Sequence, residues 1–179
     1  ELGLDGSVGR ISGVLPMVLL AKERGLKTCI VPKENEREAA SVEGIGVYGV
    51  AHLKQMIQVI LQKDTKQMAS RTQITENKNC SEKKYPDFSE VKGQYLMKRA
   101  VEIAVAGMHN ILMVGSAGAG KSMVARRIPG IMPKLSKEEI MEVSRIYSIA
   151  GLLDEEHPLM LERPFRAPHH SVTATAFVG

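Results

Sequence analysis

Between residues 115 and 122 the chain reads Gly115-Ser116-Ala117-Gly118-Ala119-Gly120-Lys121-Ser122, which fits the pattern G-x-x-x-x-G-K-S/T. Its flanks constrain the fold more than the motif does. The apolar run Ile111-Leu112-Met113-Val114 predicts a short buried strand, and Met123-Val124-Ala125-Arg126-Arg127-Ile128 predicts the first turns of a helix. Strand, glycine-rich loop and helix in that order are the setting of a phosphate-binding P-loop. Four fixed positions arise by accident in roughly one chain in a hundred of this length, and matching flanks make an accident rarer.

The residue types fit a polyphosphate ligand. Backbone N–H groups must come close to the anion, and side chains at those positions would block the approach. Some positions also need angles that only glycine adopts cheaply. The unpaired N–H groups and positive dipole end of the following helix would face the phosphates. Lys121 would reach the β- and γ-phosphates, and the Ser122 hydroxyl would be a magnesium ligand. The expected ligand is therefore a nucleoside triphosphate carried with Mg2+.

Composition narrows the classes. The chain has 179 residues, 44% hydrophobic and 25% charged, with few aromatics. No apolar run approaches a membrane span and no signal peptide is visible, so no membrane association is expected. Cys29 and Cys80 are too few for a disulfide or metal framework, and a reduced, cytoplasmic setting is the default. Glu1 rather than Met opens the chain, so a piece of a longer protein is expected. Of the net charge of +4, residues 1–61 contribute zero (seven Lys/Arg, seven Asp/Glu), residues 62–84 contribute +3 (six against three) and the remainder +1 (eleven against ten). The basic excess lies in a polar connector, and charge alone does not identify a partner.

Helix and strand patterns alternate. Asp5-Gly6 suggests a hairpin turn of type I′. Val14 to Ala21 predicts a buried helix stopped by Gly25, and Thr28-Cys29-Ile30-Val31 a strand closed by Pro32. Lys33 to Ala40 predicts a short charged helix or loop, and Ile45 to Val50 a second strand. A helix over 51–62 would carry Leu53, Met56, Ile57 and Ile60 on one face. A helix over Gln94 to Ala106, ended by Gly107, would turn Leu96, Ala100, Ile103 and Ala104 to the core. Ser136-Lys137-Glu138-Glu139 forms a capping box for a helix running to about Ala150. The fold class is α/β, divided into a first domain at 1–61, a polar linker at 62–84 and a second domain at 85–179.

Several stretches together carry a family resemblance over nearly the whole chain. Val91-Lys92-Gly93-Gln94, Gly107-Met108-His109-Asn110, the P-loop, Ala125-Arg126-Arg127, Pro129-Gly130-Ile131 and Arg163-Pro164-Phe165-Arg166-Ala167-Pro168-His169-His170 resemble the magnesium-chelatase-like AAA+ ATPases of the ComM/YifB type. Residues 1–61 resemble the C-terminal part of the Lon-protease-like, ribosomal-S5-type α/β domain that precedes the ATPase in that family. The resemblance implies that 85–179 is the N-terminal part of the AAA+ domain, ending before the Walker B acidic residues, so that no catalytic residue of hydrolysis is expected in the chain. Val91, Lys92 and Gly93 correspond to the segment beside the adenine. The implied full-length activity is an ATP-driven, ring-forming homo-oligomeric motor on DNA, acting in branch migration during recombination and natural transformation. The alternatives are a chelatase motor subunit and a nucleotide-dependent scaffold or regulator. In the protease pattern Leu15 stands where the dyad lysine belongs, and a leucine cannot take a proton from a serine.

Among the remaining polar residues, adjacent His169 and His170 lack metal-ligand spacing, and a structural or subunit-contact role is expected. Arg126 and Arg127 are expected on a solvated helix face and His109 and Asn110 in a packing or turn role, while Arg163 and Arg166 are candidates for a contact across subunits.

Overall fold

The computed structural model describes residues 1–61 and 85–168; the expected linker at 62–84, His169 and His170 lie outside the described residues. The described residues fall into two units, one of 1–61 with 135–161 and one of 85–134 with 162–168. The stretch 135–161 thus belongs with the first unit, although it follows the P-loop in sequence.

The first unit opens with a chain reversal. Gly6 N–H donates to the Gly3 carbonyl (2.9 Å) and Gly3 N–H to the Ser7 carbonyl (2.8 Å), with Gly6 at φ +85°. This is a three-residue turn with a glycine bulge, centred on Leu4-Asp5, rather than the expected two-residue turn at Asp5-Gly6. The Asp5 carboxylate accepts from the Ser7 N–H and hydroxyl, which favours this turn and holds Asp5 below its usual carboxylate range.

Helix α1 (Val14–Glu23) follows. It ends as the sequence suggests: Gly25 is left-handed, its N–H reaches the Lys22 carbonyl and the Leu26 N–H reaches Ala21, a Schellman closure. Strand β1 (Thr28–Pro32) and strand β2 (Gly46–Val50) pair in parallel, from Thr28 opposite Gly46 to Pro32 opposite Val50. A 3-10 turn at Lys33–Asn35 and helix α2 (Glu36–Ala39) make the crossover that a parallel pair requires. Helix α3 (Leu53–Ile60) is capped by His52, whose Nδ1 accepts the Lys54 N–H (3.2 Å). Its expected apolar face stays half-exposed at Ile57 and Ile60, and no α3 residue is buried.

Helix α6 (Lys137–Ile149) has the expected capping box, the Glu139 N–H donating to Ser136 Oγ and the Ser136 N–H to Glu139 Oε2. (Helices α4 and α5 belong to the second unit, below.) Helix α6 packs on α1, so the core of the unit joins Val14, Leu15, Val18, Val31, Val42 and Val47 to Ile140 and Leu159. Within it lies a polar knot. Glu38 Oε1 accepts from Ser148 Oγ (2.5 Å) and the Leu15 N–H (3.2 Å), and Glu38 Oε2 accepts from Asn35 Nδ2 (3.1 Å). Burial of these groups is tolerable because each has partners.

In the second unit, helices α4 (Tyr95–Ala106) and α5 (Lys121–Ala125) flank the P-loop stretch. The core consists of Val91, Val101 and Val124, with Phe88, Met97, Val105, Met113, Ile128 and Ile131 packed around them. Two expectations change here. The core face of α4 carries Met97, Val101, Ala104 and Val105, whereas Leu96 is 89% exposed and Ile103 also lies outside. The two faces differ by about one residue, a rotation of roughly 100°. Residues 111–114 form no ladder among the described residues, and Leu112 and Val114 are each 87% exposed. A strand becomes regular structure through partner carbonyls and N–H groups, and among the described residues none pairs with this run.

Candidate nucleotide-binding site

The loop at 115–122 leads directly into α5, whose N-cap is Gly120. Gly118 and Gly120 have φ of +80° and +81°, the left-handed region that L side chains pay for. At Gly118 a Cβ would meet nothing within 4 Å, so the backbone angle rather than space calls for glycine there. The Lys121 ammonium folds back and donates to the Gly115 carbonyl (2.8 Å) and the Ser116 carbonyl (2.6 Å), tying the start of the loop to its end. The N–H groups of Lys121, Ser122 and Met123 open the helix, with no preceding turn to accept from them. Ser122 is exposed beside them.

These residues fit a polyphosphate. The loop is open at Gly118, donors cluster at the head of α5, and the partners of Lys121 among the described residues are neutral carbonyl dipoles. An anionic oxygen makes a shorter and stronger bond to an ammonium than a carbonyl does, so Lys121 can exchange those two partners for phosphate. The Ser122 hydroxyl is the group that would take a magnesium ion carried by the nucleotide.

The segment expected beside the adenine lies across the same core. Val91 is completely buried against the cluster that includes Val124 of α5, so its side chain is occupied, while Lys92 and Gly93 are exposed. Gly93 (φ +62°) and Gln94 (φ +53°) are both left-handed and turn the chain into α4.

Arg127 departs from the expectation of a solvated face. Its Nε donates to the Asp87 carbonyl (3.1 Å), one terminal nitrogen to the Met123 carbonyl (3.0 Å) and the other to Glu90 Oε2 (2.5 Å), leaving the side chain 15% exposed. Sequence reasoning missed Arg127, Glu90 and Asp87 as one group. The partners lie 37 and 40 residues apart, beyond any local pattern.

Arg163 donates through Nε to the Pro133 carbonyl (2.7 Å), and its own carbonyl accepts from Tyr85 Oη (2.8 Å). Arg166 is exposed. His109 and Asn110 sit at a cleft of about 240 Å³ lined by Val101, Val105, Met108 and Ile128. The His109 N–H closes α4 on the Ala104 carbonyl (2.7 Å), the turn role expected of it. Among the described residues no three His, Cys, Asp or Glu side chains are grouped to hold a metal. No helix of the described residues is long and apolar enough to cross a membrane. Partial burial pushes the Cys29 thiol above its usual range.

The G-x-x-x-x-G-K-S loop matches the P-loop motif in sequence and in its loop-to-helix half, without a preceding strand among the described residues. Residues 87–179 match the family described as magnesium chelatase, subunit ChlI, and the chain belongs to that family. It is a ComM/YifB-like, AAA+ family protein. It is 43% identical over 179 residues to an uncharacterized protein of Mycobacterium tuberculosis, covering 100% of this chain and 35% of the relative. It is 36% identical to the uncharacterized protein YifB of Escherichia coli and 34% identical to the competence protein ComM of Haemophilus influenzae. Both matches cover the whole of this chain, and 34% and 35% of those relatives. The chain thus spans about a third of the length of these curated relatives.

Proposed function

We propose that the loop at 115–122 binds the phosphates of ATP with Mg2+, and that the full-length protein is an ATP-driven motor on DNA. The observation that carries the first part is the Lys121 ammonium poised over a loop with two left-handed glycines, at the head of α5. The bound nucleotide would supply the free energy of phosphoryl transfer, a reaction catalysed mainly by positioning and electrostatic stabilisation. The chain's own contribution is the cradle: N–H groups and Lys121 on the phosphates, Ser122 toward the metal, and the 91–93 segment toward the base.

The DNA part rests on the resemblance to the ComM/YifB type, which implies a homo-oligomeric ring acting in branch migration and a setting in the cytoplasm; one relative is named a competence protein. Residues 1–61 would be the C-terminal part of a Lon-protease-like S5-type domain without protease activity, since Leu15 stands where the dyad lysine belongs and has no group to take a proton. A second reading, a motor subunit of a magnesium chelatase, is favoured by the description of the matched family.

ATPase assays of the full-length protein separate these. Stimulation by branched DNA supports the DNA motor, stimulation only by other chelatase subunits supports the second reading, and nucleotide binding without turnover indicates a scaffold. In the 179-residue chain, Lys121→Ala is expected to weaken ATP binding at least about tenfold, measured by calorimetry. Unchanged binding would place the site elsewhere.

A further inference from the structure

We infer that Arg127 is a positioning residue for the base end of the nucleotide, acting as the tie between the P-loop helix and the segment 87–93. The inference rests on the proposed reading of 115–122 as an ATP site and adds to it how the two ends of that site are kept at a set separation.

Arg127 lies just beyond α5, and one of its nitrogens donates to the Met123 carbonyl within that helix. Its other donors leave the helix altogether, to the Asp87 carbonyl and the Glu90 carboxylate. A planar guanidinium with three contacts in different directions fixes both position and orientation, which a lysine ammonium on a flexible stem does not. At 15% exposure the Arg127 side chain is largely shielded from water, so solvent competes poorly for its donors.

The segment so held has little else of its own. A short 3-10 turn at Phe88–Glu90, capped by Asp87 on the Ser89 N–H (2.7 Å), is its only regular structure. Val91 anchors it in the core against Val124, and Tyr85 fixes its start through the Arg163 carbonyl. Between those anchors, Arg127 bonds the segment at two points, the Asp87 carbonyl and the Glu90 carboxylate, to the helix that carries Lys121 and Ser122. Beyond Val91 the backbone passes through Lys92 and two left-handed residues, Gly93 and Gln94, and is exposed. The placement of Lys92 and Gly93 relative to the phosphate loop is therefore set by the Val91 anchor together with the Arg127 tie, which fixes the turn leading into it. The phosphate end, held by the loop's own N–H groups and Lys121, does not depend on it.

The test uses two probes, ATP and inorganic tripolyphosphate, each with Mg2+, titrated by calorimetry into the 179-residue chain. ATP is expected to bind more tightly than tripolyphosphate to the unmodified chain, the difference being the base-end contribution. Arg127→Met keeps the apolar stem and removes the donors; it should weaken ATP about tenfold and leave tripolyphosphate unchanged. Glu90→Gln leaves the fold's apolar contacts intact and should give a smaller loss in the same direction, with faster hydrogen exchange over 87–93. Equal weakening of both probes in these variants, or no change in either, overturns the inference, as does equal binding of both probes to the unmodified chain. Binding of neither probe to the unmodified chain overturns the ATP reading itself, and Lys121→Ala, which should weaken both probes, marks that case apart.

Discussion

Ser148 Oγ donates to Glu38 Oε1 at 2.5 Å, joining α6 to α2 across 110 residues of sequence. The Ser148 carbonyl also accepts the Gly13 N–H (2.9 Å), and Glu38 accepts the Leu15 N–H, so both groups serve the first residues of α1. One buried carboxylate thereby satisfies donors from three separate parts of the chain. Glu38→Ala is expected to destabilise the first unit by about 3 kcal/mol, because several buried donors lose their acceptor together. Ser148→Ala should cost about 1 kcal/mol, since Glu38 keeps its other donors. The double variant should cost less than the sum, because the two changes remove a shared bond. Urea unfolding followed by circular dichroism measures all three, and strict additivity would show that the bond carries no energy.

Met108 occupies the left-handed position that closes α4. Its N–H reaches the Val105 carbonyl and the His109 N–H reaches Ala104, a Schellman closure in which Gly107 is the cap and Met108 takes the φ of +53°. Glycine adopts that angle without the Cβ penalty. Met108→Gly is therefore expected to raise stability by up to about 1 kcal/mol, offset in part by the loss of the Met108 side chain from the cleft. A lowered midpoint in thermal unfolding would mean that its packing outweighs its strain.

Gly118 is the loop position where geometry and function separate most cleanly. A methyl group there meets no neighbour, yet φ is +80°. Gly118→Ala should cost about 1–2 kcal/mol of local strain and shift the loop from its present shape. Nucleotide affinity should fall while the unfolding of the first unit, probed through Glu38, stays where it was. Unaltered affinity would count against a role for this angle in holding phosphate.

Leu112 and Val114 present apolar side chains to solvent on a run that pairs with nothing among the described residues. Such a run is a template for pairing with another chain. Leu112→Lys is expected to raise the concentration at which light scattering first appears. Equal scattering would place the sticky surface elsewhere, for instance on the exposed side of α4.

Asp154 supplies a pH dependence with a defined sign. Its carboxylate accepts the His157 N–H (2.5 Å), and that bond, more than the nearby imidazole, holds it below the ordinary value of 3.8. The unfolded chain therefore takes up the proton first as pH falls. The contribution to stability is complete above 3.8 and is lost as pH drops through the folded value. Asp154→Asn should be less stable than the unmodified chain at neutral pH, with the gap closing under acid. A gap that persists at pH values where both states are protonated would assign the effect to shape.

Local signals were legible wherever one turn or one helix end decides the outcome. Ser136 and Glu139 announce the cap of α6, Gly25 the end of α1, and the glycines of 115–122 the left-handed turn into α5, each through contacts within a few residues. The face of α4 was legible only to within one position, because Leu96 and Met97 are equally apolar and the neighbours at Val91 and Val124 choose between them. The strand at 111–114 was read from apolar character alone, which marks what a strand could bury but supplies no partner.

The amino-acid sequence by itself determined the glycine-rich loop at 115–122 and its junction with α5, the helices and strands of residues 1–61 and the family to which the chain belongs, since these depend on residue type at short spacing. Tertiary structure alone decided that α6 joins the first unit through Ser148 and Glu38, and that Arg127 ties α5 to Asp87 and Glu90 rather than facing water. The physical reason is the same in both cases. A buried carboxylate or guanidinium is stable only where distant backbone and side-chain groups converge to satisfy it, and that convergence is a property of the folded chain.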